Sequence, residues 1–156
     1  MLVVCKTVNP VKGHCSHPLG WRPMVFPREA ANYLGRTETG VNALIDEGAL
    51  GAVFDIRASK KPELRIPRLS VERFRSGAKP LEWCEELIAA ISPHGSAYLK
   101  SQTILETAWA LNCCEDHVLK LLHLGHLESQ TRFSAGRPPA QVEAVTFLKF
   151  LQSRMI

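Results

Sequence analysis

The chain has 156 residues, 46% of them hydrophobic, and a formal net charge of +4. That length and apolar content suit two small domains, each with a modest core. No stretch approaches the length of a membrane-spanning helix, and the opening MLVVCKTVNP is too short for a secretion signal, so no membrane association is expected. An odd set of cysteines without a regular framework predicts a reduced, cytoplasmic setting; these are Cys5, Cys15, Cys84, Cys113 and Cys114.

Residues 1–24 predict an irregular N-terminal arm, because Pro and Gly recur along them. Four side chains of the arm are of types that ligate zinc, namely Cys5, His14, Cys15 and His17. Their spacing matches no zinc site that we can justify. Neither a metal nor another cofactor is therefore expected.

Residues 29–50, EAANYLGRTETGVNALIDEGAL, are echoed without a gap at residues 106–127, ETAWALNCCEDHVLKLLHLGHL. The identical positions combine apolar packing residues with a turn glycine, which indicates a repeated fold. The identical pairs are Glu29/Glu106, Ala31/Ala108, Leu34/Leu111, Glu38/Glu115, Val41/Val118, Leu44/Leu121, Gly48/Gly125 and Leu50/Leu127.

Each copy predicts two short helices joined by a tight turn. The apolar residues of the second helix recur at i, i+3 and i+4, in the first copy at Val41, Leu44 and Ile45. Thr37 is a good N-cap for this helix, and Gly48 and Gly125 stand where helices commonly stop. The pattern is that of a helix-turn-helix, whose second helix can enter the major groove of DNA, although any two amphipathic hairpins share the apolar spacing.

The segment after the first copy predicts a β-hairpin and a third helix. Ala52–Arg57 and Leu64–Arg68 are expected to be strands around a connection that contains Lys and Pro, and Ser70 is expected to cap a helix that carries Val71 and Phe74. A hairpin in this place is a wing. Residues 25–79 thus form a predicted helix-turn-helix-wing-helix unit.

Residues 25–76 resemble the excisionase-type winged helix-turn-helix family, which is related to the MerR-type DNA-binding domain. The segments that carry the resemblance are EAANYLGRT, VNALIDEGAL and RIPRLSVERF. The second copy, within residues 98–156, resembles the family more loosely. The resemblance implies sequence-specific binding of double-stranded DNA. It also implies one of two cellular roles. The chain would be either a recombination directionality factor that steers an integrase or other recombinase, or a transcriptional regulator of a phage or mobile element that acts with RNA polymerase.

The distribution of charge supports a DNA contact by the first unit. Residues 22–79 carry 11 Lys and Arg against 7 Asp and Glu, whereas residues 80–156 carry 6 against 8. Such a cluster favours phosphate binding that weakens with salt, although a solvated basic loop has the same composition. We expect phosphate contacts from the wing and from the flanks of the first helix, through Arg57, Lys60, Lys61 and Arg65 and through Arg28 and Arg36. Lys6, Lys12 and Arg22 would make the N-terminal arm an accessory DNA contact; packing of residues 2–4 against a unit is the alternative.

Contacts to bases are expected from the second helix of the first unit. Its outward positions are Glu38, Thr39 and Asn42, preceded by Arg36 and Thr37. Asn can form bidentate bonds to adenine, Thr can contact the thymine methyl group, and Glu can accept from cytosine. Any exposed helix also carries short polar side chains of this kind.

The second unit departs from the first at the start of its second helix, where Glu115 and Asp116 would face phosphates. Lys120, Arg132 and Arg137 offset these two carboxylates. One use of the unit is a second DNA contact, about one helical turn from the first. The other is contact with protein. The two arginines, which fall on the second wing, favour DNA contact by both units.

Residues 80–97 predict a linking helix and loop, with an apolar face between Pro80 and Pro93 that would pack the two units at a fixed angle. A last helix is expected from about Ala140. It is apolar over more than one face, which predicts a homodimer or partner surface unless the helix simply closes a broad core.

The predicted fold is mainly α with small β-hairpin wings, in two tandem winged helix-turn-helix units joined by a linking helix. No glycine-rich phosphate loop and no recognisable nucleophile, histidine and acid set are found, so no enzyme is expected. The chain is therefore predicted to bind double-stranded DNA in the cytoplasm, associated with the nucleoid. A protein-interaction adaptor built on the same scaffold is the alternative, and in it charge reversal on the wing would leave activity intact.

Overall fold

A computed structural model of the chain describes residues 22–129 and 141–156. Those residues are mainly helical, with small antiparallel sheets. Seven α-helices lie in the described ranges: α1 Pro27–Leu34, α2 Glu38–Asp46, α3 Arg68–Arg75, α4 Glu85–Ile91, α5 Ile104–Leu111, α6 Glu115–His123 and α7 Ala144–Ser153. The strands there are β1 Met24–Val25, β2 Phe54–Asp55, β3 Leu64–Pro67, β4 Gln102–Thr103 and β5 Gln141–Val142.

Helices α1 and α2 begin and end where the sequence provides caps. The carboxylate of Glu29 accepts a hydrogen bond from the amide of Phe26 at 2.8 Å, one turn before it. Gly35, with φ of 66°, ends α1 in the left-handed conformation that glycine adopts without strain. The hydroxyl of Thr37 accepts from the amide of Gly40 at 3.0 Å, which confirms the predicted N-cap of α2.

The backbone of α5 and α6 repeats that of α1 and α2. Asn112 takes the left-handed conformation of Gly35, with φ of 53°. Gly48 and Gly125 both have positive φ, of 77° and 82°, and confirm the two predicted helix stops. The bonds after these helices repeat as well: the amide of Ala49 donates to Leu44 at 2.9 Å, and that of His126 donates to Leu121 at 2.9 Å. The sequence repeat is therefore a repeat of two helix pairs.

Several predicted boundaries shift in the structure. The strands are shorter than expected, α4 covers only part of the predicted linking helix, and α7 begins at Ala144 and not at Ala140. The expectation that Ser70 caps the third helix is wrong, because α3 already begins at Arg68. Ser70 is buried within that helix, and its hydroxyl donates to the carbonyl of Ala52 at 3.2 Å.

A three-stranded sheet in the order β1-β3-β2 separates two hydrophobic cores. Neighbouring residues of a strand point to opposite faces, so Val25 lies in the core around α1 and α2, whereas Met24 lies in the core around α5, α6 and α7. Phe54 and Ile56 also belong to the second core. The N-terminal half (residues 22–79) and the C-terminal half (residues 80–129 and 141–156) therefore share a core.

Residues 154–156 lie against strand β2 of the N-terminal half. Phe54 pairs with Met155 as an antiparallel bridge, and the amide of Ile156 donates to the carbonyl of Val53 at 2.8 Å. Much of the apolar surplus of α7 faces inward, since Phe147, Phe150 and Leu151 are buried. Val145, Met155 and Ile156 remain exposed, and a homodimer through this surface stays a prediction.

Within the described ranges, no helix reaches the length and apolar character that crossing a membrane requires.

Candidate nucleic-acid interface

Helix α2 presents a polar outer face. Its buried side is formed by Val41, Leu44 and Ile45. The predicted base-contacting residues lie on the other side and are exposed, together with the N-cap that precedes them: Thr37, Glu38, Thr39 and Asn42. This face offers one amide and two hydroxyl groups, which can both donate and accept, and one carboxylate, which accepts.

The β2–β3 hairpin (residues 54–67) is organised around the carboxylate of Asp55. This carboxylate accepts from the amides of Arg57 and Glu63, each at 3.1 Å, and from the guanidinium Nε of Arg57 at 2.8 Å. Arg57 also donates to the carbonyl of Lys60 at 3.0 Å. The loop that carries the exposed Lys60 and Lys61 is thus held by hydrogen bonds on both of its sides.

The bonds to Asp55 change its ionisation. Burial raises the pKa of this carboxyl, but the hydrogen bonds from the Arg57 side chain and from the amides of Glu63 and Arg57 lower it by more, so the pKa lies below its usual value of 3.8. Asp55 is therefore charged at neutral pH, and its charge is matched by that of Arg57.

A cleft of about 630 Å³ lies between the N-terminal end of α2 and the β2–β3 hairpin. Glu38 and Asn42 line it from the helix, and Lys61 and Glu63 line it from the hairpin. The predicted base-contacting and phosphate-contacting side chains thus flank one concave surface. Both signs of charge are present there, so the surface is mixed in character and not uniformly positive.

The predicted arginines fall into different environments. Arg28 and Arg36 are exposed, and the Arg36 guanidinium lies over the ring of Phe74, 5.5 Å from its centre. The side chain of Arg57 is 39% exposed and paired with Asp55. These three side chains keep some access to solvent.

Arg65 does not lie on the surface with them. It is only 3% exposed, its guanidinium lies over the Phe26 ring at 4.2 Å, and its Nε donates to the carbonyls of Leu111 and Asn112 at 3.1 Å each. The structure therefore corrects the expectation of a phosphate contact at Arg65. This arginine links β3 to the C-terminal end of α5, because its guanidinium donates hydrogen bonds to carbonyls that have no partner within the helix.

Arg22 likewise contacts the C-terminal half and does not extend toward solvent as part of an arm. It donates to the side-chain oxygen of Asn112 and, at 3.3 Å, to the carbonyl of Ala108. Asn112 in turn donates to the carbonyl of Met24 at 3.0 Å. Sequence reasoning missed this contact. The sequence indicates this contact only through the repeat, in which Asn112 occupies the position of Gly35 in the first copy.

In the C-terminal half, one side chain of the first turn of α6 faces the N-terminal half. Asp116 and Lys120 are exposed, but the side chain of His117 is only 10% exposed and contacts the β2–β3 hairpin. Arg132 and Arg137, the other predicted phosphate contacts of this half, lie outside the described residues, as do the cysteines and histidines of residues 1–21. In residues 22–129 and 141–156, no three His, Cys, Asp or Glu side chains cluster in a way that would hold a metal ion.

Further basic side chains, outside the predicted site, lie on α3 and just beyond it. Arg75 is exposed and lies over the ring of Tyr33 at 4.6 Å. Arg73 donates to the carbonyl of Lys79 at 3.0 Å. Exposed positive charge is therefore also present at the end of α3, where Arg73 lies 3.9 Å from a carboxylate oxygen of Glu86.

Comparison with protein-family models, curated proteins and solved structures found no match to this chain.

Proposed function

We propose that the chain is a sequence-specific double-stranded DNA-binding protein built of two tandem winged helix-turn-helix units, the second diverged from the first. In this proposal α2 is the recognition helix, and the β2–β3 hairpin is the wing. The observation that carries it is the cleft that Asn42 lines from the helix and Lys61 lines from the hairpin. A helix that enters the major groove and a hairpin that follows the backbone need such an arrangement.

The exposed groups suit the two kinds of contact. Thr39 and Asn42 can bond base edges, whereas Lys60 and Lys61 can neutralise phosphates. Arg28 and Arg36 would add backbone contacts from the two ends of α1. The carboxylates of Glu38 and Glu63 oppose tight binding to arbitrary phosphates, which favours a site where Glu38 accepts from a cytosine amino group.

The cellular role belongs to the same proposal. Specific DNA binding serves either a recombination directionality factor, which acts beside an integrase or other recombinase, or a transcriptional regulator, which acts with RNA polymerase at a promoter. Both bind duplex DNA. The first must also bend DNA or bind cooperatively with the recombinase, which a bending assay on the bound duplex distinguishes.

The test is selection of bound duplexes from a random pool by the full chain, followed by affinity measurements at several salt concentrations. We expect a single short sequence element, because α6 packs part of its first turn against the other half. We also expect affinity to fall as salt rises, because released counterions accompany each neutralised phosphate. Two elements about one helical turn apart would mean that both units contact DNA. The absence of enrichment at low salt would overturn the proposal in favour of the protein-interaction adaptor.

A further inference from the structure

Two side chains of the C-terminal half hold the β2–β3 hairpin. The first is His117 of α6. Its Nε2 lies 2.7 Å from the carbonyl oxygen of Ile56, which can only accept, so this ring nitrogen donates. Its Nδ1 lies 3.8 Å from a carboxylate oxygen of Glu63. Ile56 and Glu63 face each other across the hairpin, where the Ile56 amide donates to the Glu63 carbonyl at 2.9 Å. One imidazole therefore touches both strands where the exposed loop begins.

The second side chain is Arg154, which follows α7. Its guanidinium donates to the carbonyl of Arg57 at 3.1 Å and approaches that of Asp55 at 3.5 Å. The backbone of Arg154 adds a bond, since its carbonyl accepts from the Asp55 amide at 3.0 Å. Strand β2 lies at the edge of the three-stranded sheet, and without these contacts it would present an unpaired edge. The C-terminal half covers that edge.

The two copies of the repeat differ at positions where side chains of the second copy contact the N-terminal half. Asn112 occupies the position of Gly35, and His117 occupies that of Gly40. Glycine at these positions gives the N-terminal half no side chain for a contact of this kind. The helix path is common to both copies. The added His117 side chain therefore creates the contact with the hairpin, whereas the added Asn112 side chain bonds Arg22 and the carbonyl of Met24.

We propose that the C-terminal half is a platform that fixes the β2–β3 hairpin, with His117 as a positioning residue for Lys60 and Lys61. This inference rests on the proposed DNA-binding function, because it assigns those lysines to phosphates. His117 does not touch DNA in this account. It keeps the loop in the bound conformation beforehand, which lowers the cost of ordering it on binding. The first turn of α6 serves this contact and does not enter a groove.

The test compares His117→Ala with His123→Ala in the full chain, since His123 is an exposed histidine of the same helix. Hydrogen exchange is measured at the amides of Ile56, Arg57 and Glu63. We expect it to accelerate about fivefold or more in His117→Ala, the size expected for loss of one buried hydrogen bond, and to stay unchanged in His123→Ala. His117→Gln, whose amide can donate to the Ile56 carbonyl, should restore part of the protection.

Affinity for the selected duplex supplies a second readout that general destabilisation would not mimic. His117→Ala should weaken binding several-fold in the wild-type background and have no further effect when Lys60 and Lys61 are already alanine, because the histidine acts through them. Arg154→Ala provides an independent variant at the other strand, should His117→Ala fail to fold, and the same non-additivity is expected.

Three results decide the matter. Unchanged exchange at the hairpin amides in the folded variants would overturn the inference, and so would losses of affinity that simply add in the combined variants. If the wild-type chain binds no duplex while exchange at the hairpin still accelerates in His117→Ala, the proposed function fails, and the role of His117 in fixing the hairpin stands.

Discussion

The two halves share a helix pair but use its second helix differently. α2 carries Thr39 and Asn42 on an exposed face, whereas α6 turns His117 against the β2–β3 hairpin. The backbone bonds that close the two pairs repeat, so the difference lies in the side chains and not in the path of the chain. A helix pair can keep its packing while its outer surface changes from an open face to an internal contact.

The contact between the halves should be the most sensitive feature of the molecule. A Cβ atom at Gly51 would lie 2.4 Å from the carbonyl oxygen of Leu81, and Gly51 has φ of 71°. Gly51→Ala should therefore cost about 3 kcal/mol of stability, from overlap and left-handed strain together. Gly48→Ala is the matched control, since Gly48 has φ of 77° with open space around it. It should lose only about 1 kcal/mol, from strain alone. Urea unfolding measures both, and equal losses would contradict the close approach of the halves.

The open face of α2 should matter for sequence preference. Asn42→Ala is expected to lower affinity by about 1–3 kcal/mol at one cognate base pair and to relax the preference there. Asn32, an exposed asparagine of α1, provides the control, and its change to Ala should leave the preference intact. Binding to a panel of single-base variants measures the effect. If Asn42→Ala weakened binding to every duplex alike, its assigned role would be lost.

The lysines of the hairpin should act without regard to sequence. Lys60→Ala combined with Lys61→Ala is expected to weaken binding to all duplexes and to reduce the slope of log affinity against log salt by ~1.8, about 0.9 for each phosphate contact. Fluorescence anisotropy titrations at several salt concentrations give the slope. An unchanged slope would place these lysines away from the DNA.

The smallest effect concerns pH. The pKa of Asp55 in the folded chain lies below its usual value of 3.8, so its stabilising contribution is complete at neutral pH and is lost as pH falls through the folded-state value, below about 4. Asp55→Asn should remove on the order of 1 kcal/mol at neutral pH and flatten the acid limb of the stability curve. Unfolding followed between pH 2 and 7 tests this, and parallel curves for the two proteins would rule it out.

Local features were predictable from the sequence because local physics determines them. Thr37 caps its helix through a hydroxyl within one turn, and Gly48 and Gly125 take positive φ, which glycine adopts without strain. The repeated helix pair followed from apolar spacing. Of the candidate site, the exposure of Thr39, Asn42 and the hairpin lysines agrees with their predicted outward placement.

Contacts between distant parts of the chain were not predictable in the same way. Arg65 was assigned to the surface because it is charged and lies in a basic segment, yet it bonds carbonyls 46 and 47 residues away in sequence. The shared core was not predicted, because the apolar run at residues 52–54 indicates that both faces of a strand are covered but does not show which helices cover them. The sequence indicated the contact of His117 only through the repeat, in which this histidine occupies the position of Gly40.

The most direct test of DNA binding through the N-terminal half is a matched charge reversal, measured as affinity for the selected duplex at low salt. One variant combines Lys60→Glu with Lys61→Glu, and the other combines Lys100→Glu with Lys149→Glu at exposed positions of the C-terminal half. Both variants change the net charge equally, so any difference in affinity between them reflects the positions of the substituted lysines. The account predicts that the first variant loses binding and that the second keeps most of it. Equal losses, or binding by the first variant at wild-type strength, would contradict it.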